Sequence, residues 1–396
     1  MPHYRSKCYV YYGPGQVKTE EREIVCGATD IILKIDVCGR CGTDRRLFVQ
    51  PHPRVKTPTV LGHELVGRVV EVGKDVATLT KGMGYREGHT LSQDELMPPV
   101  GSRVTVQGRT ARHWNGLMLM RDPIQNLTFY IPGAYAQYMK VPEEMIRSGA
   151  IIPVLDNISD EEAALAEPAA CALESIFATP HAVGVDAMGR HIFRSGIKPE
   201  GRTLIIGSGT LAMILARLAR IEGAAEVWLI VRSEEKASLI AGVLGNQARF
   251  HIVPNYADLP LPQKLAREAE VAHELAGLTD GFLFDDVILA CASLDAQRFM
   301  FELLNPDGYG VASCFAGLHV PSEGANVDLL HYRIGKAFGM SGCSTRTMTT
   351  VIQWLAQGKL SLSGFTSPQR FSLDDNPAEF LQTKADGRKP MLYPWD

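Results

Sequence analysis

Short runs of β-branched and aromatic residues fill the first third of the chain: Lys7 to Tyr12, Ile31 to Val37, the glycine-punctuated Val66 to Val72, Arg103 to Gln107 and Tyr135 to Val141. Runs of this kind predict strands, and their succession predicts a compact, antiparallel, partly barrel-like β domain. The polar stretch from Val76 to Gly101 carries glycine and proline and reads as an inserted surface loop bordering the active-site cleft. From about Leu173 the pattern changes. An apolar strand, Thr203 to Ile206, leads into an amphipathic helix, Leu211 to Ile221, and a second strand, Val227 to Val231, leads into a helix over Glu234 to Val243. Asp286 to Ala290 and Gly310 to Cys314 read as later strands. Buried strands alternating with amphipathic helices predict an α/β fold, a doubly wound parallel sheet with helices on both faces. After Gly342 a helix, Met348 to Gln357, and mixed structure to Asp396 are expected to return to the first domain. The expected domains are therefore 1–172, 173–343 and the returning 344–396.

A chain of 396 residues is too long for one comfortable core, and a hydrophobic content of 45% supplies two. The net charge of −4, with no block of like charge, recommends neither nucleic acid nor an anionic membrane as partner. The N-terminus has charge where a signal peptide needs an apolar stretch, and the uncharged apolar run Thr203 to Ala216 is too short to span a bilayer. A cytoplasmic protein is expected. Eight cysteines scattered without a secreted-type framework suit free thiols and metal ligands in a reducing compartment.

The chemistry concentrates in three segments: Cys38-Gly-Arg-Cys-Gly-Thr-Asp44, Gly62-His-Glu64 and Ala166-Glu-Pro-Ala-Ala-Cys171. A thiolate, an imidazole and a carboxylate from distant segments make the donor set of a zinc site that keeps one position open for substrate. Cys41 and His63 are the expected ligands. Cys38 reads as buried beside them, since a redox Cys-x-x-Cys lacks its usual strand-to-helix setting. Asp44 has the chemistry to hold the free imidazole nitrogen of His63. The remaining ligand position is open to Glu167, which is preferred, to Glu64, held in reserve beneath the metal, and to Cys171.

Gly207-Ser-Gly-Thr-Leu-Ala212 follows an apolar strand and opens a helix, the context in which glycines let a backbone approach a pyrophosphate. Gly207, Gly209, Thr210 and Leu211 are the cofactor-binding candidates here. An acidic residue that would grip the ribose 2′-hydroxyl is expected at the end of the next strand, where Val231, Arg232 and Ser233 stand instead. A cation and a hydroxyl there favour a 2′-phosphate and thus NADP(H); the alternative is that Arg232 only stacks on the adenine of NAD(H).

Together these residues resemble the medium-chain, zinc-dependent alcohol and polyol dehydrogenase family over essentially the whole chain. Gly133-Ala-Tyr-Ala-Gln-Tyr138 is similar to a strand of that family, and Glu167-Pro168 resembles its sorbitol-dehydrogenase-like variant. A narrower likeness, to sorbose-1-phosphate reductases, runs through Gly281, Asp285-Asp286, Leu304-Asn-Pro-Asp-Gly308, Phe315-Ala-Gly317 and Gly339-Met-Ser-Gly342. The resemblance implies a GroES-like catalytic domain joined to a Rossmann domain. It implies Thr43 as the hydroxyl that relays the proton and Lys389 as a contact of the cofactor phosphates. It implies homodimers or homotetramers formed through a Rossmann edge strand, for which Tyr309 to Cys314 is the candidate. Two departures stand out: residues 42–170 contain no cysteine, so no four-cysteine structural zinc is expected, and Arg46 replaces the family's relay histidine.

The implied reaction is hydride transfer between a nicotinamide and a secondary alcohol or ketone, with one catalytic zinc lowering the pKa of the hydroxyl. A polyol, ketose or sugar phosphate is the expected substrate; if the segment after Cys41 is extended, Arg45 and Arg46 alternate and at least one reaches the cleft, where Arg46 is the candidate to grip a phosphate. An NAD(H)-dependent polyol or cyclitol dehydrogenase is the alternative. A zinc-free binding protein on the same fold is the alternative of another class.

Overall fold

The strand Ile31–Gly39 organises the first unit because its residues alternate with almost every position buried. In this computed structural model, residues 3–79, 85–86, 89–90, 97–109, 126–314 and 324–396 are described. Ile31–Gly39 lies inside a mixed sheet whose order is Ile151–Pro153, Arg103–Val106, Glu64–Val72, Ile31–Gly39, Lys389–Leu392 and Thr366–Phe371, with Tyr138–Val141 also paired to it. A second sheet joins Gln16–Val25, His3–Gly13 and Thr59–Val60. Tyr9, Tyr11, Ile31, Leu33, Leu65 and Val104 belong to the apolar cluster between these strands. By contact the unit comprises Met1–Cys171 and Gly342–Asp396.

Two expectations about this unit change. The residues after Cys41 are not extended: Gly42–Val49 is an α-helix that buries Leu47 and Phe48, so Arg45 and Arg46 diverge by about a 100° helical step and do not alternate across a strand. The expected inserted loop begins with a helical turn, Val76–Leu79, whose two end residues are buried. Half of that stretch lies outside the described residues.

The second unit, Ala172–Ser341, is a six-stranded parallel sheet in the order Arg249–Ile252, Glu226–Val231, Arg202–Ile206, Asp286–Leu289, Val311–Cys314 and Lys336–Gly339. In chain order this is 3-2-1-4-5-6, the doubly wound Rossmann arrangement. The order reverses between Arg202–Ile206 and Asp286–Leu289. Strand runs such as Thr203 to Ile206 are continuously apolar because both faces of the sheet are covered. Val311–Cys314, the expected edge strand, is paired on both sides; the edges are Arg249–Ile252 and Lys336–Gly339. An antiparallel hairpin, Pro180–Val185 with His191–Ser195, exposes Val183, Val185, Met188, Ile192 and Phe193. Among the described residues no helix is long and apolar enough to cross a membrane.

Candidate functional site

Strand register brings the three chemical segments together. Gly39 pairs with Glu64 on one side and Met391 on the other, so the chain leaving Gly39 toward Cys41, the His63-Glu64 pair and Lys389 converge at one end of three adjacent strands. The main-chain bond from Arg40 N to Pro390 O, 3.0 Å, fixes that convergence. Gly62, at φ +96°, turns the chain into the strand; a Cβ there would meet the Tyr135 ring at 2.6 Å, so the bend and its packing both require glycine.

Cys41 is the N-cap of the helix Gly42–Val49. Its Sγ accepts from Thr43 N at 3.4 Å, while Asp44 Oδ2 accepts from Cys41 N at 3.1 Å, a capping box with sulfur in place of the usual hydroxyl. Asp44 is fully buried and also accepts from the Tyr135 hydroxyl at 2.7 Å. Its other oxygen, Oδ1, faces His63 Nδ1 at 3.7 Å, and Thr128 Oγ1 lies 3.3 Å from the same nitrogen. With Nδ1 turned to these partners, Nε2 is the nitrogen left for a metal. Burial opposes a charged imidazole at His63, but Asp44, Cys41 and Glu167 together outweigh it and hold its pKa well above the ordinary value. Cys38 is wholly buried, with its thiol aimed at its own neighbour's carbonyl, Gly39 O, and burial keeps it protonated.

Glu64 is buried, and Lys389 donates from Nζ to its Oε1 at 2.6 Å. Burial opposes the ammonium of Lys389; Glu64 and Cys41 more than restore it. Lys389 therefore has an acidic partner next to Cys41 and His63, a different setting from the phosphate contact expected of it. Glu167 stands in the first turn of Ala166–Ala178 with Pro168 after it, an arrangement that helix N-termini favour in its own right. Burial raises its pKa, and the charge of His63 works against that rise. Its Oε1 accepts from Cys171 Sγ at 3.4 Å.

Among the described residues, the donor atoms fall into two groups, each lying within 4.8 Å: Cys41, His63 and Glu64, and Glu167, Cys171 and Cys343. Glu64, the reserve carboxylate, sits in the compact group, and the preferred Glu167 sits in the other. The first group fits a divalent cation. It combines thiol, imidazole and carboxylate, and both Glu64 Oε2 and Asp44 Oδ1 are buried acceptors without a hydrogen-bond partner.

In the second unit the glycine turn lies where the strand order reverses. Gly207, at φ +153°, packs so closely on the end of the neighbouring strand that a Cβ would sit 3.2 Å from Ala290 C and O. Gly209 is the N-cap of Thr210–Ile221 and offers no side-chain cap, which leaves the first amides of that helix facing outward as an anion seat. Thr210 is buried in its first turn, and Leu211 follows it. Arg232 is exposed, donates to Pro254 O at 3.3 Å and lies 5.5 Å from the centroid of the Tyr256 ring. Ser233 caps the helix Glu234–Leu244 by accepting from Lys236 N at 3.2 Å.

Residues 27–150 match the alcohol dehydrogenase GroES-like domain family. The chain is 26% identical over 379 residues to L-threonine 3-dehydrogenase of Chelativorans sp. (strain BNC1), an alignment covering 93% of this chain and 92% of that one. It is 25% identical over 349 residues to L-galactonate-5-dehydrogenase of Escherichia coli (strain K12), covering 88% and 86%. A structure described as a zinc-binding dehydrogenase from Sinorhizobium meliloti 1021 bound to NADP superposes with a TM-score of 0.73 at 21% identity, over 99% of this chain and 100% of that one, which shows the shared fold.

Residues 27–150 belong to the alcohol dehydrogenase GroES-like domain family, and the chain as a whole is similar to zinc-dependent alcohol and polyol dehydrogenases of the medium-chain type.

Three residues at the two donor groups have roles that the sequence reading did not give. Thr128 is held at φ +78° against His63, and nothing in its local sequence announces that. Tyr135 was noted only as part of a family-like strand, and its hydroxyl anchors Asp44. Cys343 comes from the returning segment and joins Glu167 and Cys171 through the fold alone. Phe315-Ala-Gly317, part of the narrower likeness, lies outside the described residues.

Proposed function

We propose that this dehydrogenase moves hydride between NADP(H) and a secondary alcohol or ketone of a polyol, ketose or sugar phosphate. In this reading Cys41, His63 and Glu167 would hold a catalytic zinc, with Glu64 as the reserve donor beside them. The observation that carries the metal assignment is the Cys41, His63 and Glu64 group with its unpartnered buried carboxylate oxygen. A zinc ion held there would supply Lewis acidity at the substrate oxygen, and a bound nicotinamide would supply the hydride chemistry. The protein's own work is positioning and proton handling. Asp44, fixed by Tyr135 and Cys41 N, holds His63 in the tautomer that presents Nε2. Lys389 holds Glu64 at one oxygen and leaves the other free to engage or withdraw. Thr43 Oγ1, two residues after Cys41, would take the proton of the substrate hydroxyl.

The NADP(H) preference is supported by Arg232 at the end of Glu226–Val231, with no acid among Val231, Arg232 and Ser233. One observation favours the NAD(H) reading: Glu234 and Glu235 follow in the first turn of the next helix, and Arg232 already has Pro254 and Tyr256 as partners. A panel of ketoses, polyols and their phosphates, assayed with both cofactors alongside elemental zinc analysis, tests the whole reading. Turnover of phosphorylated ketoses with NADPH, weakened in Arg46→Ala at the level of KM, is the expected result; equal turnover of unphosphorylated polyols with NADH removes its phosphate and cofactor parts. Assembly as a homodimer or homotetramer is supported by the edge strand Lys336–Gly339 and the apolar hairpin, and light scattering checks it.

A further inference from the structure

The segment that follows Arg103–Val106 carries a further cation to the metal pocket. Gln107 N donates to Ala150 O at 2.8 Å, Leu127 N donates to Gly108 O at 3.0 Å, and Arg109 forms an antiparallel bridge with Asn126, so the backbone of 107–109 is held on both sides. Gly108 packs against His63: a Cβ on it would lie 3.6 Å from His63 Cβ. The side chain of Arg109 then runs to the returning segment, where a Cβ on Gly342 would lie 2.8 Å from Arg109 Cδ and 3.0 Å from Cζ. Gly342 stands at φ +78°, so glycine there both makes the turn and leaves room for the guanidinium. The buried side chain of Gln107 ties the two segments together. Its Oε1 accepts from Arg109 N at 3.0 Å, and its Nε2 donates to Cys343 O at 2.7 Å. Arg109 is therefore one position from the contact with His63 and touches the residue before Cys343, which places it beside both donor groups.

We propose that Arg109 selects an anionic substrate, gripping a phosphate or carboxylate carried on the same carbon chain as the reacting hydroxyl or ketone. The planar fork of a guanidinium matches two oxygens of either group, as an ammonium does not. Arg109 is half-buried, so water and salt screen it less than they screen a surface arginine. A buried glutamine at its root and a glycine under its head set the course of the side chain, and a pre-organised side chain loses less freedom when it engages an oxyanion. Arg46 lies on a different element, the helix Gly42–Val49, so single variants separate the two arginines. The proposal deepens the ketose and sugar-phosphate reading and rests on it for the reaction, whereas recognition of the anion is measured by binding alone.

The test is isothermal titration of the zinc-loaded full-length protein with fructose, fructose 6-phosphate and 5-ketogluconate: an uncharged, a phosphorylated and a carboxylated ketose. The parent should bind at least one anionic compound more tightly than fructose. Arg109→Gln should cut that ratio of affinities roughly ten- to hundredfold, and Arg109→Lys should recover part of it, because the charge returns without the fork. The anionic compound with the larger drop identifies the group that the arginine takes. An Arg109→Gln protein that folds and keeps the parent's ratio overturns the proposal; if that variant does not fold, Arg109→Lys decides by the same ratio. A parent that binds fructose as tightly as both anionic compounds, or binds neither of them, overturns it without any variant. Hydride transfer is read separately, from NADPH and NADH absorbance. Its absence with the affinity ratio intact counts against the ketose reaction and leaves the anion site standing.

Discussion

The metal pocket of the first unit and the glycine turn of the second are built in opposite ways. The turn is contiguous: strand, Gly207, Gly209 and helix follow within a dozen residues, and its geometry is a local consequence of two glycines at a strand-to-helix junction. The pocket is assembled. Cys41, His63, Glu64, Thr128, Tyr135 and Lys389 come from segments spread over most of the chain; strand register brings the ends that carry Cys41, Glu64 and Lys389 together, and hydrogen bonds add Thr128 and Tyr135. A contiguous site fails by losing a backbone shape, whereas an assembled one fails by losing charge balance. Substitutions should therefore affect the two differently.

The largest expected effect is in the pocket. Cys41→Ala or His63→Ala should lower kcat/KM by roughly 10³-fold or more, since a Lewis acid contributes several kcal/mol to the barrier. The same variants should bind NADPH almost as the parent does, because the glycine turn is independent of them; fluorescence titration of the nicotinamide checks that. Wild-type turnover in a metal-stripped variant would sink the contrast. Acid achieves the same loss reversibly. The pKa of His63 is raised in the metal-free pocket, so below it a proton occupies the nitrogen that the metal needs, and above it the proton leaves. Zinc occupancy is thus expected to fall as pH drops, by up to about tenfold per pH unit for one competing proton, with cofactor affinity changing far less.

Asp44→Asn comes next. It keeps the size of the side chain and the bond from Tyr135, but it removes the charge facing His63 Nδ1. Replacing a partner of a metal-bound histidine costs about 10–100-fold in metal affinity or activity. Isothermal titration with zinc reads it directly, and an unchanged affinity would mean that Thr128 alone orients the ring.

How much was legible follows the same division. The strands Ile31–Gly39, Glu64–Val72, Arg202–Ile206 and Glu226–Val231 and the helices Thr210–Ile221 and Glu234–Leu244 are written in local periodicity, as is the glycine turn between them. Cys41, His63 and Glu64 were readable as candidates because their residue types are chemically specific. Thr128, Cys343 and the hydroxyl of Tyr135 were not, since each acquires its role from a partner dozens to hundreds of residues away. The helix Gly42–Val49 was not read from the sequence because its two arginines hide a short amphipathic pattern in which only Asp44, Leu47 and Phe48 are buried. The long helix Leu261–Leu278 escaped for a related reason: it buries only Glu268, Val271 and Leu275, and the buried acid is satisfied by Arg298 and Tyr256. The edge strand was misjudged because Lys336–Gly339 alternates weakly, with no residue fully buried.

On the side of the turn, Arg232→Ala tests cofactor choice. A charge-assisted hydrogen bond to phosphate contributes about 1.5–3 kcal/mol, so the variant should lose roughly ten- to hundredfold in NADPH affinity with little change for NADH. Equal losses for the two cofactors would show that Arg232 serves only to stack.

The smallest effect sharpens that experiment. The Arg232 guanidinium lies over the Tyr256 ring at 5.5 Å, and the Tyr256 hydroxyl is in turn fixed by Glu268 Oε1 at 3.1 Å, which Arg298 holds from the other side. This chain of contacts orients an exposed arginine whose side chain would otherwise sample many rotamers. Tyr256→Leu keeps an apolar filler and removes both the ring face and the hydroxyl, so it should leave the charge of Arg232 in place but free its direction. A cation–π contact at an exposed position is worth about 0.5–1 kcal/mol, which corresponds to a roughly two- to fivefold loss in NADPH affinity. Tyr256→Phe retains the ring and should lose less. In a double variant with Arg232→Ala the Tyr256→Leu effect should vanish, because nothing remains to orient. If the two losses instead add in full, Tyr256 acts on the cofactor by another route, and the turn of the second unit is less local than its sequence suggests.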